Sequence, residues 1–226
     1  MKAPPDLAIG VDGYPRGWVA ALLDDGNITW ATTPVDAVEE LCRPDAVTGI
    51  DMPIGLLERG LRECDTLARR ELPGAGSRVF TTPPRAVLAL GRQAANDEAQ
   101  RLSHDLSGQG VSRQALALGP RILALDQVVA ANPNRSIVEV HPELSFAALA
   151  GRVLDSKKRA AGVGQRISAL ATWLPGVAEI VGRAPADVPI DDALDALAAL
   201  WSATRWRDGT ARTLPAGAHR RPFIAV

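Results

Sequence analysis

Leu7-Ala8-Ile9-Gly10-Val11-Asp12-Gly13 and Ala46-Val47-Thr48-Gly49-Ile50-Asp51-Met52-Pro53 are two apolar runs that each end on an aspartate and then turn. Short apolar runs bounded by Gly or Pro predict buried strands. Each strand therefore delivers one carboxylate to its carboxyl end, and two such strands side by side bring both to one rim. Acids recur downstream as Glu139 and Glu143 in Val138-Glu139-Val140-His141-Pro142-Glu143, and as Asp191, Asp192 and Asp195. Carboxylates at strand ends and at a helix start suit hard divalent cations.

Around the first run the pattern predicts three antiparallel strands near 7–12, 17–23 and 28–32. They are joined by the turns Gly13-Tyr14-Pro15-Arg16 and Asp25-Gly26-Asn27. Pro34 opens an expected helix to about Cys42. The run from Ala46 to Ile50 reads as a central strand buried on both faces, and the intervening helix implies a right-handed parallel crossover. From about 58 to 131 no strand signal appears, and Pro73-Gly74, Pro83-Pro84 and Gly108 to Gly110 break the segment into several helices. It reads as a helical insertion. Ser136 to Val140 returns to the sheet, Glu143 to Leu149 and Val163 to Trp173 read as helices, and Ile190, Leu194, Leu197 and Trp201 form one apolar stripe on a helix over 190–207. The expectation is one α/β domain over residues 1–226: a mixed sheet of three antiparallel strands followed by parallel ones, flanked by helices.

With 46% hydrophobic and 23% charged residues in 226, the composition is that of a globular chain and excludes disordered and fibrous classes. The formal net charge of -1 gives no global attraction to nucleic acid, so such a partner must find a local patch. Arg59, Arg62, Arg69, Arg70, Arg78, Arg85 and Arg92 make the segment from 59 to 92 locally basic. Lysine is confined to Lys2, Lys157 and Lys158. Cys42 and Cys64 are too far apart for a metal motif and too few for a disulfide scaffold. Asp6 and nearby prolines stand where a secretory leader has a basic flank and a long apolar core, and no apolar run is long enough to span a bilayer, so the expectation is a cytoplasmic protein without membrane insertion.

Two-metal phosphodiester cleavage needs several oxygen ligands around ions about 4 Å apart, supplied by acids from non-adjacent elements. Asp12, Asp51 and Asp195 are the expected metal ligands, with Glu139, Glu143 and Asp192 completing the catalytic set. Asp191 is the expected N-cap of the last helix, which leaves Asp192 and Asp195, three apart, on one face. Glu139, inside an apolar strand, must meet a cation, an arginine or solvent. Arg16, Arg78, Arg85 and His141 are the candidate substrate contacts; Arg78 and Arg85 flank Phe80 and the Pro83-Pro84 turn in what reads as a loop at the rim.

Gly10-Val11-Asp12-Gly13 with Arg16-Gly17-Trp18, Asp51-Met52-Pro53-Ile54-Gly55-Leu56, Arg62-Glu63-Cys64-Asp65 with Ala68-Arg69, Val79-Phe80 with Pro83-Pro84-Arg85, Glu139-Val140-His141-Pro142-Glu143 with Ser145-Phe146, and Asp192-Ala193-Leu194-Asp195-Ala196 together resemble the motifs of the domain-of-unknown-function 429 family. The resemblance runs from about residue 8 to 207. It implies a ribonuclease-H-like fold and a nuclease activity; taken with the acids, the expectation is a Mg²⁺- or Mn²⁺-dependent phosphodiesterase acting on nucleic acid, DNA or RNA. The same opening strand, Asp-Gly and hairpin also occur in actin- and sugar-kinase-like phosphotransferases. A non-catalytic binding module on this fold is the third reading.

Overall fold

The computed structural model describes residues 7–91 and 96–226; Asp6 and Arg92 of the sequence reading lie outside the described residues. A seven-stranded sheet carries the chain, in the order β3-β2-β1-β4-β5-β7-β6. β1 (Leu7–Tyr14), β2 (Gly17–Asp24) and β3 (Asn27–Thr33) form the antiparallel meander, because two-residue turns leave no other pairing. β4 (Ala46–Ile50) lies parallel to β1, and β5 (Ser136–Val140) parallel to β4. This is the α/β, ribonuclease-H-like strand order that the sequence predicts.

Between β4 and β5 the described residues contain helices and no strand: α1 (Glu63–Glu71), α2 (Arg85–Ala89), α3 (Asn96–Ser107) and α4 (Arg113–Ala131). The Pro-Gly, Pro-Pro and Gly-rich breaks separate them as expected. After β5 come α5 (Pro142–Ala150), α6 (Ala160–Ala171), α7 (Val177–Gly182) and α8 (Ile190–Arg207). Among the described residues no helix is long and apolar enough to cross a membrane.

Three local expectations are corrected. The segment after Pro34 is a pair of 3₁₀ turns over Val35–Leu41, broken at Ala37 with φ -105° and ψ 20°. Asp191 is not the N-cap of α8: Pro189 holds that position and Asp191 falls in the first turn. The sheet also continues past residue 207, where β6 (Thr213–Leu214) and β7 (Ile224–Ala225) form an antiparallel pair and β7 adds in parallel to β5. Strands of two residues carry no periodic signal.

Strand alternation sorts the side chains of the sheet between two cores. Leu7, Ile9 and Val11 of β1, with Ile50 of β4 and Ile137 of β5, pack under Ile122 and Leu125 of α4. Ala8 and Val47 face the other way, against Leu194, Leu197 and Leu200 of α8. Gly10 lies on this second face, and the helix sits almost on the bare strand. A Cβ added there would stand 2.0 Å from the Leu200 nitrogen and 2.2 Å from the Ala196 oxygen. Gly49 on β4 repeats the arrangement, 2.7 Å from the Ala199 oxygen. Backbone cannot yield as a flexible side-chain tip does, so Gly10→Ala should cost more than the roughly 1–3 kcal/mol of ordinary overpacking. Gly182→Ala, at a site open to 4 Å, is the control. Chemical denaturation of both variants checks this: the Gly10 variant should lose several-fold more stability than the control.

Candidate metal centre

The parity that sends Gly10 toward α8 sends Asp12 the same way, two residues further along β1. On β4, Val47 and Gly49 face α8, so the next residue in step is Asp51. Register holds the two together: Val11 pairs with Ile50, and the Asp51 amide donates to the Val11 carbonyl at 2.9 Å. α8 brings Asp195 down over them, since Ala196 and Leu200 rest on Gly10. The ligand atoms of Asp12, Asp51 and Asp195 all lie within 4.8 Å of one another. Oxygens around one ion at about 2.0–2.6 Å span just such distances, so the three could hold one metal ion.

Each end of the triad has one oxygen already engaged. Asp12 Oδ1 accepts from the Gly13 amide at 2.7 Å, and Asp195 Oδ2 accepts from Lys157 Nζ at 2.5 Å. Asp195 Oδ1 is buried and has no hydrogen-bond partner among the described residues, although the residue is only 4% exposed. A buried acceptor without a donor costs about 1–3 kcal/mol, and a cation would satisfy it.

The acids of the triad line a cavity of about 430 Å³ together with Asp65, Arg78, Phe80, Glu139, His141, Glu143, Lys157, Lys158 and Asp192. That volume is within the range of ligand sites. Glu139 and Glu143 line it but are held by arginines. Arg62, 1% exposed, reaches Glu139 at 2.6 Å and Asp65 at 3.2 Å, and the Ile54 amide donates to Glu139 Oε2 at 2.7 Å. Glu143 accepts from Arg78 at 2.5 Å and from Arg166. Both were expected to complete the catalytic set around the triad; here arginines occupy both, and register places Glu139 opposite Ile50, one residue out of step with Asp51 and on the α4 face. Cys64, Asp65 and Glu139 also approach one another within 4.8 Å, but the Arg62 guanidinium fills the space between them.

The substrate contacts divide. Arg78 and His141 line the cavity. Arg16 pairs with Asp187 at 3.1 Å, Arg85 is held by Asp126 and Glu58, and neither lines it. Arg16 and Arg85 thus meet carboxylates outside the cavity, and Arg59 and Arg69 donate to backbone carbonyls. Lys157, Lys158, Arg62 and Arg166 were not among the candidate site residues of the sequence. The one signal for the first two is that an otherwise lysine-poor chain places them side by side.

Electrostatics follow from burial. It pushes Asp51 up to about 7, against the opposing pull of Lys157 and with repulsion from Glu143 and Asp192. Burial likewise lifts Asp195 to about 6, Lys157 opposing and Asp51 adding, and lifts Asp192 to about 6 with Asp191 adding. Asp12 is raised well above the carboxylate range by burial and then by Asp51 and Asp195. His141 is lowered by burial, with Glu143 and Asp195 opposing, and its buried Nδ1 has no partner among the described residues. For the Arg62 pair, burial opposes both charges and pushes Glu139 up to about 7. The short contacts and the Ile54 amide nonetheless favour a carboxylate facing a guanidinium.

Raised folded-state pKa values fix the sign of a pH dependence. The fold binds protons more tightly than the unfolded chain, so without metal the triad destabilises it at pH 8. The penalty shrinks as pH falls from about 7 toward the ordinary value of 3.8. In chelator, the contribution of the triad should therefore raise the melting temperature between pH 8 and pH 6. Asp51→Asn should melt higher than the parent at pH 8, by roughly 2–4 °C for each kcal/mol relieved, and show a flatter pH profile. Calorimetric scans across this range check it; a variant that melts lower at every pH would make Asp51 a structural hydrogen-bonding residue.

The model of a family described as proteins of unknown function (DUF429) matches residues 10–220. Comparison with curated proteins and with solved structures finds no match. The matched span runs from β1 through α8 and contains all three aspartates, and the chain belongs to the DUF429 family.

Proposed function

We propose that the protein is a divalent-metal-dependent nuclease, hydrolysing phosphodiester bonds in DNA or RNA with an ion seated on Asp12, Asp51 and Asp195. The observation that carries this reading is the convergence of three carboxylates from β1, β4 and α8, one of them with a buried oxygen that lacks a donor. The ribonuclease-H-like order of the sheet supports it. Mg²⁺ or Mn²⁺ in this seat would polarise a phosphoryl oxygen and lower the pKa of a bound water.

The protein's own groups supply the rest. Lys157, Lys158 and Arg78 stand on the cavity wall where a phosphate would lie, and Phe80 offers an apolar surface to a base. Asp192 sits one helical turn before Asp195, is half-buried, and is free of the arginines that hold Glu139 and Glu143. It is a group that could position a water. Glu139 and Glu143 act indirectly, by fixing Arg62, Arg78 and Arg166 around the site.

Cleavage of a panel of single-stranded, duplex, hybrid and branched substrates tests the proposal. Activity should require Mg²⁺ or Mn²⁺ and fall by at least about 100-fold in Asp12→Asn, since even the outer partners of a metal cost 10–100-fold when removed. Equal cleavage in chelator would overturn the metal mechanism, and ATP hydrolysis without cleavage would favour a phosphotransferase. Lys158, exposed on the cavity wall, provides a second test. Lys158→Ala should flatten the log-log salt dependence of substrate binding by about 0.7–0.9, the value of one phosphate contact, with metal binding unchanged.

A further inference from the structure

Lys157 lies in the connection between α5 and α6 and turns its side chain into the acidic cluster. Its Nζ is 2.5 Å from Asp195 Oδ2 and 3.6 Å from Asp191 Oδ2. Asp12 also attracts it. Burial opposes its charge, yet these acids outweigh burial and raise its pKa, so it is an ammonium at neutral pH.

We propose that Lys157 is the built-in second cation of this site, so that the protein takes one divalent ion where a two-metal nuclease takes two. The inference rests on the metal reading given above and specifies its stoichiometry. Two observations carry it. First, Asp195 has one oxygen on Lys157 and the other without a partner; a bridging carboxylate in a two-metal centre would give both to ions. Second, Glu139 is engaged by Arg62 and Glu143 by Arg78 and Arg166, so the acids left for a second ion are those on α8, and Lys157 already occupies the space between Asp191 and Asp195.

Titration of the full chain with Mn²⁺ by calorimetry tests this without recourse to activity, with circular dichroism to show that each variant is folded. Wild type should bind one Mn²⁺. Lys157→Gln removes the charge and opens the seat between Asp191 and Asp195, so it should bind two; Lys157→Arg keeps a cation there and should bind one. Two ions in wild type would overturn the proposal and leave the metal reading intact, a result that needs no variant to fold. One ion in Lys157→Gln with unchanged affinity would overturn it as well, making Lys157 a structural ion pair. No Mn²⁺ bound by wild type or either variant would overturn the metal reading itself.

Discussion

Helix α8 rests on strand β1 with backbone against backbone, and the arrangement of everything near the cavity follows from that contact. Gly10 and Gly49 have no side chains to hold the helix off, so the small residues Ala196 and Ala199 settle into the sheet surface. The helix is thereby fixed in height as well as direction. Asp195, the residue before Ala196, is carried to the level of the strand ends, and strand alternation has already turned Asp12 and Asp51 toward it. Asp12 and Asp195 lie on regular elements and Asp51 directly follows β4, tied back by its amide to Val11, and sites held on rigid elements keep their geometry better than sites on loops.

Placing so many acids together has an electrostatic cost, since each buried charge loses several kcal/mol of hydration unless it is paired. The protein handles the carboxylates in two ways. Asp65 and Glu139 share the buried Arg62, and Glu143 is gripped between Arg78 and Arg166, the latter lying over the Phe146 ring at 5.2 Å. These acids are closed off by guanidinium groups. The triad is treated differently, with one lysine against three acids and an orphaned oxygen. The unequal treatment is what separates the carboxylates that build the walls from those open to a ligand.

The strand order, the helical nature of the insertion and the acids at the ends of β1 and β4 were legible in the sequence, because apolar runs, Gly and Pro breaks and a 3.6-residue stripe are local signals. The convergence of Asp12 and Asp51 followed from two runs that end alike. Glu139 shows the limit. It looks like a third strand-end acid, but whether it joins the other two depends on the register of β5 against β4, which no local pattern encodes; a one-residue difference sends it to the opposite face and into the reach of Arg62. The partners of the arginines were hidden for the same reason. Counting charges along residues 59 to 92 suggests a surface patch, whereas Arg62, Arg78 and Arg85 meet Glu139, Glu143 and Asp126, partners distant in sequence. The C-terminal β6–β7 pair was invisible because its strands are too short to show alternation.

The triad also spans nearly the whole length of the folded chain, from residue 12 on the first strand to residue 195 on the last long helix. An ion held by both ends is a cross-link that closes one very long loop, and the entropy removed from the unfolded chain by such a closure grows with loop length. Peeling α8 away from the sheet would require that link to open first. An ion bound there would be a rivet, and the rate at which the fold opens, with its exposure to proteases, would be tied to the free concentration of that ion.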